Sequence, residues 1–142
     1  MEGKLYLICG DDDYLVDTAA RERINQLVPE ADREFGVEIV DGQRDTSDGI
    51  TEAVNACMES VQTPGFFGAT KVTWFRDVTF LTGGGRNAGT AAAKDAVEKL
   101  VAWLKGGLLT GQTLIITTTK VLRSSTFFKT CQQQGEVQDF GS

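Results

Sequence analysis

The chain has 142 residues, of which 41% are hydrophobic and 24% charged, a size and balance that suit one globular domain with a buried core and exclude disordered and collagen-like classes. Fourteen Lys and Arg against twenty Asp and Glu give a net charge of -6, so the domain as a whole is repelled by a phosphate backbone and is not expected to grip nucleic acid directly. There is no histidine, which removes imidazole acid–base catalysis and most hydrolase chemistry, and with no CxxC pair a zinc site has almost no ligands to draw on.

Residues 4–9 (KLYLIC) form a short apolar run stopped by Gly10, the pattern of a strand buried on both faces. From residue 13 to 28, Leu15, Ala19 or Ala20, Ile24 and Leu27 recur near a 3.6-residue period, predicting a helix with acids at its start and Pro29 at its close. Residues 37–40 are a second strand ended by Asp41-Gly42. Ile50, Val54, Cys57 and Val61, with Ala53 beside them, then mark an amphipathic helix. After the apolar turn QTPGFFG at 62–68 comes KVTWFRDV at 71–78, rich in β-branched and aromatic residues and read as a third strand. A glycine-rich loop at 82–89 leads to a helix over 90–105, whose Val97, Leu100, Val101 and Leu104 share a face and which Gly106 and Gly107 end. A fourth strand at 113–119, a short helix at 124–134 ending at Gly135, and a fifth strand at 136–140 complete the chain. Alternating strands and helices with right-handed crossovers predict an α/β fold, a mostly parallel sheet covered on both faces. Ligands of such sheets usually sit at the carboxyl ends of the strands.

No apolar run approaches the roughly 18 residues of a membrane span, and the first residues lack a secretory signal pattern. A soluble, unsecreted protein is expected. Cys9, Cys57 and Cys131 are odd in number and set in or beside apolar stretches, which points to reduced, buried thiols and a cytosolic setting.

The first turn, Gly10-Asp11-Asp12-Asp13-Tyr14, stands where a phosphate-binding loop would present a lysine and a Ser or Thr, and it has neither. Its three carboxylates suit the helix dipole and cap the free amides, and they would repel a phosphate. A second reading is an acidic Mg²⁺ site with Asp77 and residues 117–119 as companions, as in phosphoacceptor receiver domains; the lysine that such domains carry after the fifth strand is missing from 136–142. Gly83, Gly85 and Ala88 match the dinucleotide pattern GxGxxG/A, yet they do not follow the first strand, and no acid ends the next one to hold a ribose hydroxyl. A surface connection is the simpler reading.

Phe66 and Phe67, flanked by glycines, cannot both enter one core from a regular element. Either both fold back as loop anchors or they form an apolar plug for a partner's pocket. As a plug, two buried phenylalanines contribute roughly 3 to 6 kcal/mol, equal to about two to four decades of affinity.

The segments YLICGDDDYLVDTA, VEIVDG, QTPGFFGATKVTWFRDV and TLIITTTKVLRSSTFFKTCQQQGEVQDF, in this order and spacing over residues 5–140, resemble the delta-subunit family of bacterial DNA polymerase III. The resemblance implies a P-loop NTPase/AAA+-like fold with strand order 5-1-4-3-2 and a degenerate nucleotide site. It further implies a bacterial, cytoplasmic clamp-loader subunit that engages the beta sliding clamp and helps open the ring without hydrolysing ATP itself or needing a cofactor. Family members use a glutamine followed four and five residues later by a Leu-Phe pair. Gln62 has that spacing to Phe66 and Phe67, with phenylalanine where leucine is usual and Pro64-Gly65 before it. The resemblance makes residues 117–120 a vestige of the sensor-1 strand end. It makes residues 1–142 an N-terminal domain whose lid and collar domains, and contacts to gamma/tau and delta prime, lie beyond this chain, with DNA met only through the complex. Two rival readings stand beside it: a nucleotide-binding ATPase, and a protein-interaction domain unrelated to replication.

Overall fold

A computed structural model of the chain describes residues 3–65, 71–81 and 91–141. Five strands, β1 (Lys4–Cys9), β2 (Val37–Asp41), β3 (Val72–Arg76), β4 (Thr113–Thr118) and β5 (Glu136–Asp139), alternate with the helices α1 (Asp13–Leu27), α2 (Arg33–Gly36), α3 (Ser47–Gln62), α4 (Ala91–Lys105) and α5 (Thr126–Gln134). The sheet runs β2-β3-β4-β1-β5 with every pairing parallel. This is the α/β architecture and the 5-1-4-3-2 order expected.

The period-2 pleat divides the strand residues between two cores. Leu5, Leu7, Cys9, Phe75, Leu114 and Ile116 face α3, α4 and α5. Tyr6, Ile8, Val72, Trp74 and Ile115 face α1. Central strands buried on both faces explain why KLYLIC and TLIITT read as continuous runs rather than alternations.

α3 and α5 begin on side-chain caps. Thr46 Oγ1 accepts from Gly49 N at 3.0 Å and Ser125 Oγ from Phe128 N at 3.1 Å, each satisfying an amide the helix leaves free. At the end of α5, Gly135 is required by close approach, because a Cβ there would lie 2.2 Å from Leu5 O.

Two local expectations need correction, and one segment was not predicted. The buried stripe of α1 is Val16, Ala19, Ala20 and Ile24, whereas Leu15 is 43% exposed, since it falls about one residue off the face packed on the sheet. Residues 30–36, for which no element was predicted, form a 3-10 turn at Glu30–Asp32 that runs into α2. β3 is shorter than 71–78, because Asp77 takes φ 53°, a left-handed conformation that ends the strand. The glycine-rich loop at 82–89, with Gly83, Gly85 and Ala88, lies outside the described residues. No helix among those described is long and apolar enough to cross a membrane.

Candidate functional site

Because all strands are parallel, the sheet has a carboxyl end, where a nucleotide would be sought, and an amino end, to which α3 returns. The two candidate sites lie at these opposite ends.

At the carboxyl end only Gly10, Asp11 and Asp12 separate β1 from α1. Asp12 is the N-cap of α1: its Oδ1 accepts from Tyr14 N at 2.8 Å and Leu15 N at 3.4 Å, and its carbonyl accepts from Val16 N at 3.1 Å. Two of the amides that a helix N-terminus offers to an anion are thus bonded to a carboxylate from the same chain. Phe140 closes the turn from the other side. Its amide donates to Cys9 O at 2.7 Å, and its Cβ stands 2.7 Å from where a Cβ on Gly10 would be. Asp139 is held by Arg123 through two bonds of 2.7 and 2.8 Å. The Arg123 guanidinium, helped by the Gly141 amide, holds the Asp139 carboxyl down at about 2. Arg123 is correspondingly pushed up by the same contact.

Beside this turn, α1 and the ends of β3 and β4 enclose a cleft of about 530 Å³ lined by Asp13, Asp17, Arg21, Arg76, Asp77 and Thr117 among others. Its polar groups bond to one another. Asp17 bridges Arg21 at 2.8 Å and Arg76 at 2.9 Å, and both guanidiniums lie over the Trp74 ring, 5.4 and 4.8 Å from its centroid. The buried Thr117 hydroxyl accepts from Trp74 Nε1 and from Asp77 N, each at 3.0 Å. Thr118 Oγ1 donates to Val78 O at 2.7 Å and accepts from Lys120 N at 3.0 Å. Gln43 donates to the Asp77 carboxylate. The end of β4 is therefore tied to the segment that follows β3. Among the described residues, no group of three or more Asp, Glu or Cys side chains is placed to hold a metal ion.

At the amino end, α3 finishes with Gln62, which is exposed, and the chain turns through Thr63, Pro64 and Gly65. Phe66 and Phe67 lie outside the described residues, so of the three expected contact residues Gln62 alone has a described position. Thr63 caps the helix: its amide donates to Glu59 O at 3.0 Å and Ser60 O at 3.2 Å, and its hydroxyl to Glu59 O at 2.8 Å. Across the segment, Lys71 Nζ donates to Ser60 O at 2.8 Å and Thr63 O at 3.0 Å and pairs with Glu38 Oε1 at 3.0 Å. Glu38 also accepts from Ser60 Oγ at 2.7 Å, and the Ser60 hydroxyl meets Thr73 Oγ1 at 2.7 Å. The Ser60 hydrogen bond, then Lys71, hold the Glu38 carboxyl below its ordinary value.

A cleft of about 310 Å³ opens next to this corner, between Gln62–Gly65 and the turn at 109–112. That turn is pinned by Gln112 N to Leu109 O at 2.9 Å and Leu109 N to Gln112 Oε1 at 2.8 Å, with Gly111 at φ 89°. It holds Leu109 69% exposed. The Lys71 network joins positions far apart in sequence, and the apolar pattern of 71–78 concealed the lysine at its start.

Fold and sites together define an open parallel α/β domain whose first turn is tied down by aspartate and whose amino-end corner is built around a half-buried lysine. The family described as DNA polymerase III, delta subunit, matches residues 6–140. This chain belongs to that family. Among solved structures it is similar to the Bacillus subtilis DNA clamp loader delta protein (YqeN), with a TM-score of 0.64, 15% sequence identity, and coverage of 96% of this chain and 38% of that one. The chain thus spans well under half the length of that protein. No curated protein sequence matches it.

Proposed function

We propose that residues 1–142 act as the N-terminal, AAA+-like, clamp-binding domain of a bacterial clamp loader in DNA replication. They bind the beta sliding clamp through Gln62, Phe66 and Phe67 and help open the ring, with no ATP hydrolysis by this domain. Family membership over residues 6–140 supports the loader assignment, and the similar Bacillus subtilis protein bears the clamp-loader description. The observation that carries the division of labour is Asp12: its carboxylate already takes two of the first-turn amides that a helix offers to a phosphate. In this reading gamma/tau and delta prime meet regions beyond this chain and supply the ATPase, DNA is met through the complex, and the setting is the cytoplasm. A net charge of -6 fits a domain whose partner is protein rather than DNA.

The test is binding of the purified cognate clamp to this chain and to a Phe66→Ala/Phe67→Ala variant first shown to be folded. The double variant loses about two to four decades of affinity, as expected for two phenylalanines leaving an apolar pocket. Equal binding by the folded variant refutes the plug, and no binding by the parent favours a role outside clamp loading.

A further inference from the structure

Helix α4 has two working faces. Ala93, Ala96, Leu100 and Leu104 are buried in the core that the sheet shares with α3 and α5. The neighbouring stripe, Lys94, Val97, Glu98, Val101, Ala102 and Lys105, repeats at the i, i+3, i+4 spacing of one helix face. It forms one wall of a groove of about 560 Å³, and the start of α5 at Ser125, Thr126 and Phe127 forms another. Phe80 and Leu81 complete the lining, so the groove is largely apolar. Its charged groups lie on α4: Lys94 and Lys105 are eleven residues apart, about 16 Å along the axis. Neither lysine has a carboxylate partner among the described residues. The N-terminus of α5 opens on the same groove and adds the positive end of its dipole. In a chain of net charge -6, this groove is bordered by two lysines against one acid, Glu98.

We propose that the groove between α4 and α5 is a docking site for an acidic amphipathic helix of a partner protein, with its apolar stripe in the groove and its carboxylates at Lys94 and Lys105. A helix suits the groove better than an extended segment. The main-chain groups of α4 and α5 are spent on their own hydrogen bonds and offer no open edge to which a strand could add, whereas two helix walls receive the ridge of a third. The spacing of the lysines sets the pattern of the occupant: carboxylates about three turns apart, with apolar residues at i, i+3, i+4 and i+7 between them. Glu98, between the lysines in sequence, disfavours an acid at the middle of that helix. The groove shares no residue with Gln62, Phe66 and Phe67, so this inference does not rest on the clamp-binding reading.

The experiment is a fluorescence-anisotropy titration of the chain with two labelled synthetic helical peptides that share one leucine stripe. One carries glutamate and the other lysine at the two positions that meet Lys94 and Lys105. The glutamate peptide binds saturably, and the lysine peptide binds about tenfold more weakly or worse, because two attractive pairs become two repulsive ones. In the Lys94→Glu/Lys105→Glu variant, whose substitutions fall on exposed positions, the preference reverses. Ala102→Arg, also at an exposed position and with a good helix former, fills the groove and weakens the glutamate peptide about tenfold or more. Absence of saturable binding, equal affinity for both peptides, or a preference that the charge reversal leaves unmoved overturns the proposal. So does glutamate-peptide binding that a folded Ala102→Arg chain retains; should that variant fail to fold, the charge reversal alone decides. Sedimentation equilibrium of the chain by itself covers the other occupant: a dimer that Ala102→Arg dissolves assigns the groove to a second copy and overturns the partner helix.

Discussion

Replacing Thr117 by valine keeps the shape of the side chain and deletes one oxygen. In the folded protein that oxygen accepts from Trp74 Nε1 and Asp77 N, each at 3.0 Å, using both lone pairs a hydroxyl offers. Trp74 is 1% exposed, so its indole N–H is stranded without water, at about 1–3 kcal/mol. The Asp77 amide is only partly buried and recovers a water partner, so its loss adds about 0.5–1 kcal/mol. Asp77 at φ 53° is also freed from the bond that holds its left-handed turn. The expected total is about 1.5–4 kcal/mol, a large share of the ~5–15 kcal/mol typical of a domain. With a urea slope of about 2 kcal/mol/M, the midpoint falls by roughly 0.75–2 M. Thr117→Ser, which keeps the acceptor and loses one methyl, recovers more than half of that. A Thr117→Val midpoint within about 0.3 M of the parent, or a serine variant as unstable as the valine one, would show that this strand end is not the structural tie described.

Three further outcomes follow from the same contacts. Asp139 is held at about 2 by Arg123 against an ordinary 3.8. A depressed carboxyl stabilises the fold above its unfolded pKa, and that contribution fades as pH falls from about 4 to 2. With Arg123 44% exposed, screening limits it to about 1 kcal/mol, and urea midpoints of Asp139→Asn lose this part of the acid sensitivity; an unchanged acid profile contradicts the pairing. Burial pushes Cys9 and Cys131 up to about 12 and raises Cys57 as well, so a thiol reagent at pH 8 labels none of the three in the folded chain and all three in urea. Rapid labelling of any thiol without denaturant counts against this. Gly135→Ala drives a Cβ to within 2.2 Å of Leu5 O, costing about 1–3 kcal/mol and lowering Tm by roughly 3–12 °C; an unshifted Tm means α5 and β1 are not so closely apposed.

The architecture was legible because its signals are local. KLYLIC and TLIITT are buried on both faces, and Ile50, Ala53, Val54, Cys57 and Val61 on α3 are all interior, so hydrophobic period and length sufficed. α1 was harder to place: Leu15 and Val16 are adjacent apolar residues, and only packing on the sheet selects Val16. Residues 30–36 escaped because seven mostly polar residues carry too little periodicity to mark two short helical turns. The acids of the first turn could be read as caps, and Asp12 is one. What Thr117, Arg123 and Lys71 do could not be read. Their partners Trp74, Asp139 and Ser60 lie 43, 16 and 11 positions away, and only the folded sheet sets those distances.

The central claim is that this domain works by gripping the sliding clamp and not by turning over nucleotide. Titration calorimetry of the chain with purified cognate clamp, run with and without Mg-ATP, tests it most directly. Saturable binding with the same affinity in both buffers is the predicted result. Absence of binding, or binding that appears only with Mg-ATP, would contradict it.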